Sequence, residues 1–177
     1  MKKNVVFLFS LVFLSSPASF ALSLTDLLIE PLVGYSLSGE AKQENAASED
    51  FDGTVFGGKI GYSFLGLSAG LRFDTGALEL ESGTQGTTDS DYGAYGIFVG
   101  YDLPIFLRAS FTHYISSEQD IENVGVFEGT GTSIHLGFGF LPLVNLFVEY
   151  HDHKLERNGV DRDFNWYLLG LSLPLDI

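Results

Sequence analysis

Apolar and polar residues alternate with a period of two along most of the chain after residue 28. Successive side chains of a β-strand point to opposite faces, so this alternation indicates strands and not helices. The pattern predicts eight of them, at residues 28–38, 54–63, 67–77, 92–103, 105–116, 132–141, 144–153 and 164–175.

The connections between the predicted strands alternate in length. Short turns are predicted at Phe64-Leu65-Gly66, Asp102-Leu103-Pro104 and Leu141-Pro142-Leu143. Long polar loops are predicted at residues 39–53, 75–91, 117–131 and 152–163. An up-and-down antiparallel barrel with short turns at one end and long loops at the other produces this alternation.

The two faces of the predicted strands differ in character. One face is continuously apolar and carries Phe56, Ile60, Tyr62, Leu67, Ala69, Leu71, Phe73, Tyr95, Ile97, Val99, Tyr101, Ile134, Leu136, Phe138, Phe140, Leu146, Val148 and Tyr150. The other face is rich in glycine and carries Gly57, Lys59, Gly61, Ser68, Gly70, Arg72, Asp74, Gly96, Gly100, Arg108, Ser110, Thr112, Ser133, His135, Gly137, Gly139, Glu149 and His151.

Glycine weakens a solvent-facing strand, whereas a narrow lumen needs small residues beside a few large polar ones. We therefore expect the glycine face to line a lumen and the apolar face to contact lipid. A lipocalin-like soluble barrel is the alternative, but its apolar face would point inward. The predicted fold class is an all-β, antiparallel, up-and-down, eight-stranded transmembrane β-barrel, with strands near the 9–11 residues (roughly) that a bilayer requires.

The first 21 residues have the pattern of a secretory signal peptide. Lys2 and Lys3 precede a short apolar run from Val5 to Leu14, and Ser19-Phe20-Ala21 is a small-x-small cleavage site. We expect residues 1–21 to be removed and residues 22–177 to form the barrel domain.

Composition excludes several classes of function. The formal net charge is −14, which disfavours nucleic acid as a partner because phosphate binding needs clustered Lys and Arg. Without cysteine, the chain has no disulfide, thiolate metal site, Cys nucleophile or lipidated Cys. Of the predicted long loops, the first three each have a net charge of −4 and the fourth −1. Such acids are usually a solvated face, and the sharper hypothesis is weak Ca²⁺ or Mg²⁺ bridging to anionic lipopolysaccharide.

Three local patterns in the predicted strands resemble those of a known family. They are Gly57-Gly58-Lys59-Ile60-Gly61-Tyr62, Ser68-Ala69-Gly70-Leu71-Arg72-Phe73 and Gly170-Leu171-Ser172-Leu173. The chain after residue 21 resembles the small eight-stranded outer-membrane β-barrels of the OmpX and OmpA membrane-domain type. The resemblance implies a bacterial outer-membrane location with both termini on the periplasmic side. It involves no motif specific to an active site.

Two groups of residues suggest a metal-binding or catalytic site, and each also has a purely structural explanation. Glu149, His151 and His153 share one strand face, and with His135 they could ligate Zn²⁺, or they are simply polar lumen residues. His113 with Ser116 or Ser117 suggests a base and a nucleophile, as in lipid A deacylases. Ser116 falls on the opposite strand face from His113 and Ser117 at a loop edge, which favours a strand end entering a polar loop.

Six charged side chains are expected to point into the lumen: Glu30, Lys59, Arg72, Asp74, Arg108 and Glu149. Isolated charges in a narrow interior are costly, so we expect them to pair across the lumen and close it. We assign no catalytic, cofactor-binding or metal residue. The sequence favours a non-enzymatic surface barrel, structural, adhesive or protective, with an unknown host or cell-surface ligand. The alternatives are a lipid-modifying enzyme and a narrow channel.

Overall fold

The computed structural model of this chain describes residues 26–43, 48–82, 86–103, 106–141 and 143–177. Eight long strands follow one another: β1 Asp26–Gln43, β2 Glu49–Phe64, β3 Leu67–Ser82, β4 Gly86–Leu103, β5 Leu107–Ile121, β6 Gly125–Leu141, β7 Val144–Arg157 and β8 Val160–Ser172. A short strand, β9 Leu175–Asp176, pairs with the start of β1. The break between β8 and β9 contains Pro174, which has no backbone N–H to donate to the ladder.

The sheet closes on itself. Each of the eight long strands pairs antiparallel with its neighbour in sequence, and β1 pairs with both β2 and β8. Following the paired residues once around the barrel from Gly61 leads back to β2 at Phe51, so the strands are staggered as a tilted barrel requires. The predicted fold class is confirmed as a closed, antiparallel, eight-stranded barrel.

We call the end with the β2–β3, β4–β5 and β6–β7 connections the turn end, and the opposite end the hairpin end. The predicted turn at residues 64–66 is confirmed, with positive φ angles of 51° at Leu65 and 82° at Gly66. The predicted turns at 102–104 and 141–143 coincide with the β4–β5 and β6–β7 connections, where residues 104, 105 and 142 are not described.

The prediction of long polar loops at the hairpin end is wrong. Most of residues 39–53, 75–91, 117–131 and 152–163 lie in strands, because cross-strand pairing continues far beyond the predicted strand ends. The last hairpin turns tightly at Asn158-Gly159, with φ angles of 53° and 78°. Asn-Gly suits such a turn because both central residues need positive φ.

The outer face of the barrel is apolar along its turn-end half and middle. Every residue predicted for the apolar face whose side chain is described points outward. Phe140 is not among the residues whose side chains are described. Exposed apolar side chains on this belt include Val33, Phe56, Ile60, Tyr62, Leu71, Phe73, Tyr95, Ile97, Val99, Phe111, Ile134, Leu136, Phe138, Leu146, Val148, Leu169 and Leu171. Among the described residues, no helix has the length and apolarity to cross a membrane.

Toward the hairpin end the pattern of the same strands reverses. On β3 the inward positions change from Arg72 and Asp74 to Leu78 and Leu80, while the outward positions become Glu79 and Glu81. The inward apolar side chains of this end form a hairpin-end core: Ala41, Phe51, Leu78, Leu80, Tyr92, Ile121, Phe127, Leu155, Phe164 and Trp166. The barrel is therefore polar inside and apolar outside at one level, and apolar inside and polar outside at the next.

Glycine allows the strands to approach where the lumen is narrow. Gly61 and Gly70 are directly paired between β2 and β3. A Cβ atom on Gly70 would lie 2.1 Å from the carbonyl oxygen of Ile60, and one on Gly61 would lie 2.2 Å from that of Ala69. A side chain at either position would push the two strands apart, so the local backbone geometry requires glycine.

Candidate functional site

The six charged residues predicted to face the lumen come from β1, β2, β3, β5 and β7. The side chains of Glu30, Lys59, Arg72 and Glu149 are almost completely buried inside the barrel, as is Asp74. Arg108 lies nearer the turn end, and its side chain is 12% exposed. The structure divides them into a central group around Arg72 and a turn-end group around Glu30.

Arg72 holds the central group together. Its Nη2 donates to one carboxylate oxygen of Glu149 at 3.0 Å, and its Nη1 lies 2.8 Å from the other oxygen as an ion-pair contact without hydrogen-bond alignment. Its Nε donates to Asp74, 3.0 Å away on the same strand. The hydroxyls of Tyr114 and Ser133 donate to Asp74 and Glu149, both at 2.5 Å. The guanidinium of Arg72 therefore shares its single positive charge between two carboxylates. Each carboxylate also accepts a hydrogen bond from an uncharged hydroxyl group.

The turn-end group joins five strands, β1, β2, β4, β5 and β8. Lys59 Nζ lies 3.6 Å from Glu30 and donates to the hydroxyl of Ser110 at 3.1 Å. Arg108 lies 3.5 Å from Glu30, and Ser172 donates to the other Glu30 oxygen at 2.6 Å. Arg108 also forms a two-pronged ion pair with Asp102, whose side chain is 38% exposed.

Asp102 is not among the six predicted lumen charges, because it lies in a segment that the sequence predicts as a turn. It lies near the turn end of β4 and is paired directly with Arg108 across the strands. That pairing follows from the short connection between β4 and β5. The signal was therefore present once the turn was placed.

The histidines of β7 share the inward face, together with Glu149. His135 Nδ1 lies 3.2 Å from Glu149, and His151 Nε2 lies 3.5 Å from it. His153 contacts the hydroxyls of Ser117 at 2.6 Å and Tyr92 at 3.4 Å. Within the described residues, no three His, Cys, Asp or Glu side chains are arranged to hold a metal ion. The observed partners of these histidines are hydroxyls, a carboxylate and aromatic rings.

The structure separates His113 from the inward serine. His113 points outward and is exposed, whereas Ser117 is buried in the lumen. The prediction that Ser117 lies at a loop edge is wrong, because β5 continues to Ile121. A bulge in the β5–β6 pairing between Tyr114 and Ser117 shifts the parity, so that Ser117 and not Ser116 points inward.

A second polar group lies in the hairpin-end core and was also missed. Arg162 donates to Gln119 at 3.1 Å and to Glu49 at 2.8 Å, and its guanidinium lies 5.4 Å from the ring centre of Phe127. Arg162 and Glu49 lie in segments that the sequence pattern predicts as loops. The continued alternation around Arg162 would have placed it on the same inward face as Phe164 and Trp166.

The outer surface of the hairpin end is acidic on one side. Between β2 and β5 the outward charged residues are Asp50, Asp52, Glu79, Glu81, Asp89, Asp91, Glu118, Asp120 and Glu122. We call these the acidic rows. Several are directly opposed across strands, including Asp52 with Glu79, Glu79 with Asp89, and Asp91 with Asp120. Members of these rows and Tyr35 line a groove of about 830 Å³, and Tyr35 donates to Asp52 at 2.7 Å.

The opposite side of the hairpin end has mixed charge. Lys42 lies 2.9 Å from Glu40, and hydrogen bonds from Lys42 and Ser48 lower the pKa of the Glu40 carboxyl. Lys154 is paired across the strands with Asp163. Two surfaces of different electrostatic character therefore flank the same barrel end.

No protein-family model matches this chain, and no curated protein matches its sequence. Its fold is similar to that of Neisserial surface protein A, with a TM-score of 0.55 and 14% identity over 83% of this chain and 96% of that one. It is also similar to Ail, the attachment invasion locus protein of Yersinia pestis, in complex with the heparin analogue sucrose octasulfate. There the TM-score is 0.54 and the identity 12% over 85% of this chain and 99% of that one. The chain has the fold of small eight-stranded outer-membrane barrels, as its resemblance to them predicted.

Proposed function

We propose that this protein is an integral bacterial outer-membrane barrel with a closed lumen, which acts through its hairpin end and not through catalysis. The observation that carries the proposal is the reversal of polarity along the strands. An apolar belt outside a polar lumen suits lipid, whereas acidic rows outside an apolar core suit water. We infer that the surface of the outer leaflet lies at the level of the reversal, with the hairpins projecting beyond it.

The buried side chains support a closed lumen. An eight-stranded barrel is just wide enough to be filled by its own side chains. Arg72 spans from β3 to Glu149 on β7, and the histidines and Trp166 fill the level toward the hairpin end. We call this set of inward side chains the plug. It favours a structural, adhesive or protective barrel over a narrow channel.

The arrangement of the serine and histidine candidates gives little support to a lipid-modifying enzyme. His113 and Ser117 lie on opposite faces of the barrel wall, and the Ser117–His153 contact is buried. A catalytic pair must reach its substrate. We expect the mass spectrum of lipid A to be identical in cells with and without this protein, and a changed acyl composition would favour the enzyme.

The charge of the hairpin end defines the chemistry of the partners that we propose. Ail was crystallised with a polyanionic heparin analogue. The acidic rows of this chain would repel such a polyanion and nucleic acid alike. We propose that this end instead meets cations: Ca²⁺ or Mg²⁺ that bridge to neighbouring lipopolysaccharide, and any cell-surface ligand of positive charge.

The location can be tested by fractionation and gel mobility. We expect the protein to sediment with outer membranes and to lack residues 1–21. Its intact mass should be that of a chain that begins at Leu22. Unheated samples should migrate differently from boiled ones, because a closed barrel resists detergent. A protein free in the periplasm, with identical bands in both samples, would contradict the proposal.

The acidic rows predict a dependence on divalent cations. Like charges directly opposed across strands are destabilising by up to about 1 kcal/mol for each pair. Millimolar Ca²⁺ or Mg²⁺ should therefore raise the thermal unfolding temperature and protect the hairpins from protease. The gain should shrink in the variant Glu79→Gln/Asp89→Asn.

The matched control is Asp152→Asn/Asp163→Asn, which also removes two acidic charges. Asp163 is paired across strands with Lys42 and Lys154, and Asp152 with Thr132 and Asn165, so neither is opposed to another acid. This variant should keep the full gain from divalent cations. Equal gains in wild type and both variants would assign the effect to general screening, and no gain in any of them would refute bridging.

A further inference from the structure

Ser117, His153, His151 and Glu149 form a continuous file of side chains along the lumen. Ser117 Oγ lies 2.6 Å from His153 Nδ1, and His153 Nε2 lies 3.4 Å from His151 Nδ1. His151 Nε2 lies 3.5 Å from Glu149. We call these four residues the histidine relay. It connects the hairpin-end core to the central group around Arg72.

The hydrogen-bond directions along the relay are mutually compatible when both imidazoles are neutral. Ser117 then donates to Nδ1 of His153, whose Nε2–H faces Nδ1 of His151. That leaves Nε2 of His151 protonated, 3.5 Å from the Glu149 carboxylate and outside hydrogen-bond geometry. A neutral imidazole has one donor and one acceptor, so each ring is used in the same sense.

A proton added to the relay breaks this order. With both rings protonated, N–H groups would face each other across the 3.4 Å contact between His153 and His151. Two cations would then lie in a buried region that already holds Arg72. Buried charges without a partner are strongly destabilising, so the rings must separate.

The surroundings of the two imidazoles contain few groups that could compensate. The titratable and charged groups that face them are Arg72 and Asp74 of β3, Tyr92 of β4, Tyr114 of β5, His135 of β6 and Glu149 of β7. Arg72 is bound to both carboxylates and cancels only one of their two charges, so this group can compensate one added proton but not two. The side chains that β8 places against the rings, Trp166 and Phe164, are aromatic and carry no charge.

Trp166 connects the relay to the seal of the lumen. Its ring is stacked on His151 at 4.3 Å and 8° and on His153 at 4.8 Å and 14°. It also contacts Phe164, with ring centres 4.6 Å apart. Separation of the two imidazoles would therefore move the largest aromatic side chain of the hairpin-end core.

We propose that the histidine relay is an acid sensor within the plug, which loosens the lumen when His151 and His153 take up protons. The inference rests on the closed lumen proposed above. In acid, the relay separates, Trp166 loses its stacking partners, and the barrel conducts ions. At neutral pH the relay is intact and the barrel is closed.

Trp166 is the chain's single tryptophan, so its fluorescence reports directly on the relay. We would measure tryptophan emission and planar-bilayer conductance of the refolded barrel at pH 7.5 and pH 4.5. When the relay separates, Trp166 loses its stacking partners and becomes accessible to water in the opened lumen, so its emission maximum should shift to longer wavelength in acid and return at pH 7.5. Conductance should be absent at pH 7.5 and present at pH 4.5.

The variant His151→Gln/His153→Gln keeps hydrogen-bonding side chains but removes both titrations, and both responses should be lost. His113→Gln is the matched control, because His113 points outward, and it should respond like wild type. If the double variant fails to show a compact unheated band, each single variant is used and should lose at least part of the response.

The outcomes separate the two proposals. Steady conductance of wild type at pH 7.5 would refute the closed lumen itself. A barrel that is closed at both pH values, an emission that does not depend on pH, or an unchanged response in the histidine variants would overturn the sensor alone.

Discussion

Replacing Arg72 with alanine is expected to lower the free energy of unfolding by about 3–5 kcal/mol, the range for breaking a buried ion pair. Arg72 is completely buried and is bound to Glu149 by two contacts and to Asp74 by its Nε. Its removal leaves two carboxylates in the lumen without their cation. Urea unfolding of the barrel in detergent, followed by gel mobility and far-UV circular dichroism, measures the loss.

Glu149→Ala should be destabilising in the same range but less so than Arg72→Ala, because Arg72 would retain Asp74. The double variant Arg72→Met/Glu149→Gln should be more stable than Arg72→Met alone, since it removes one of the unpaired charges. A double-mutant cycle of the wild type, Arg72→Met, Glu149→Gln and the double variant isolates the interaction energy between Arg72 and Glu149. Arg108→Ala is the control, because its partner Asp102 is solvated and Glu30 keeps Lys59. Equal stability of the wild type, Arg72→Ala and Glu149→Ala would contradict a central ion pair.

The inward position of these charges follows from the sequence because a strand has an exact period of two. Once Lys59 and Arg72 are assigned to the glycine face, their depth in the lumen depends only on strand register. The short turn at Leu65-Gly66 sets that register between β2 and β3, and Lys59 is paired directly with Arg72. The pairing partners across the lumen could not be predicted, because they depend on how the closed sheet is staggered.

The extent of the strands could not be recognised by looking for an apolar outward face. In residues 75–91 the alternation continues in the same phase, but its polarity is reversed, so the segment has the composition of a loop. Leu78 and Leu80 keep the inward parity of Arg72 and Asp74. Together with the Asn158-Gly159 turn, this was a usable signal for long hairpins.

The bulges were the part of the fold that alternation alone could not show. A bulge adds one residue to one strand and reverses the parity of every residue beyond it. In β5 this brings Ser117 into the lumen beside His153, and a similar shift in β1 follows Ser36. The shared face of Glu149, His151 and His153 follows from their spacing on β7, but the contact of His153 with Ser117 could not be predicted from spacing.

The hairpin-end core leads to the second large expected effect. Trp166→Ala should lower the free energy of unfolding by about 3–5 kcal/mol, the range for removing a large buried aromatic side chain. Trp166 is 1% exposed and contacts rings from three strands besides its own, including Phe51, Tyr92 and His151. In the proposed outer-membrane arrangement the hairpins project beyond the lipid, so this core has to stabilise them as the interior of a soluble protein would.

The neighbouring outward residue gives the matched control for Trp166. Tyr167 lies next to it on β8 and is 51% exposed, with a ring contact to Tyr150 on the outer face. Tyr167→Ala should cost far less and leave the hairpins as resistant to protease as in wild type. In Trp166→Ala the hairpins should be cleaved before the membrane belt unfolds, because the lost contacts lie in the hairpin-end core. If both variants lost the same stability, or if cleavage began in the belt, the hairpins would not be held by an inverted core.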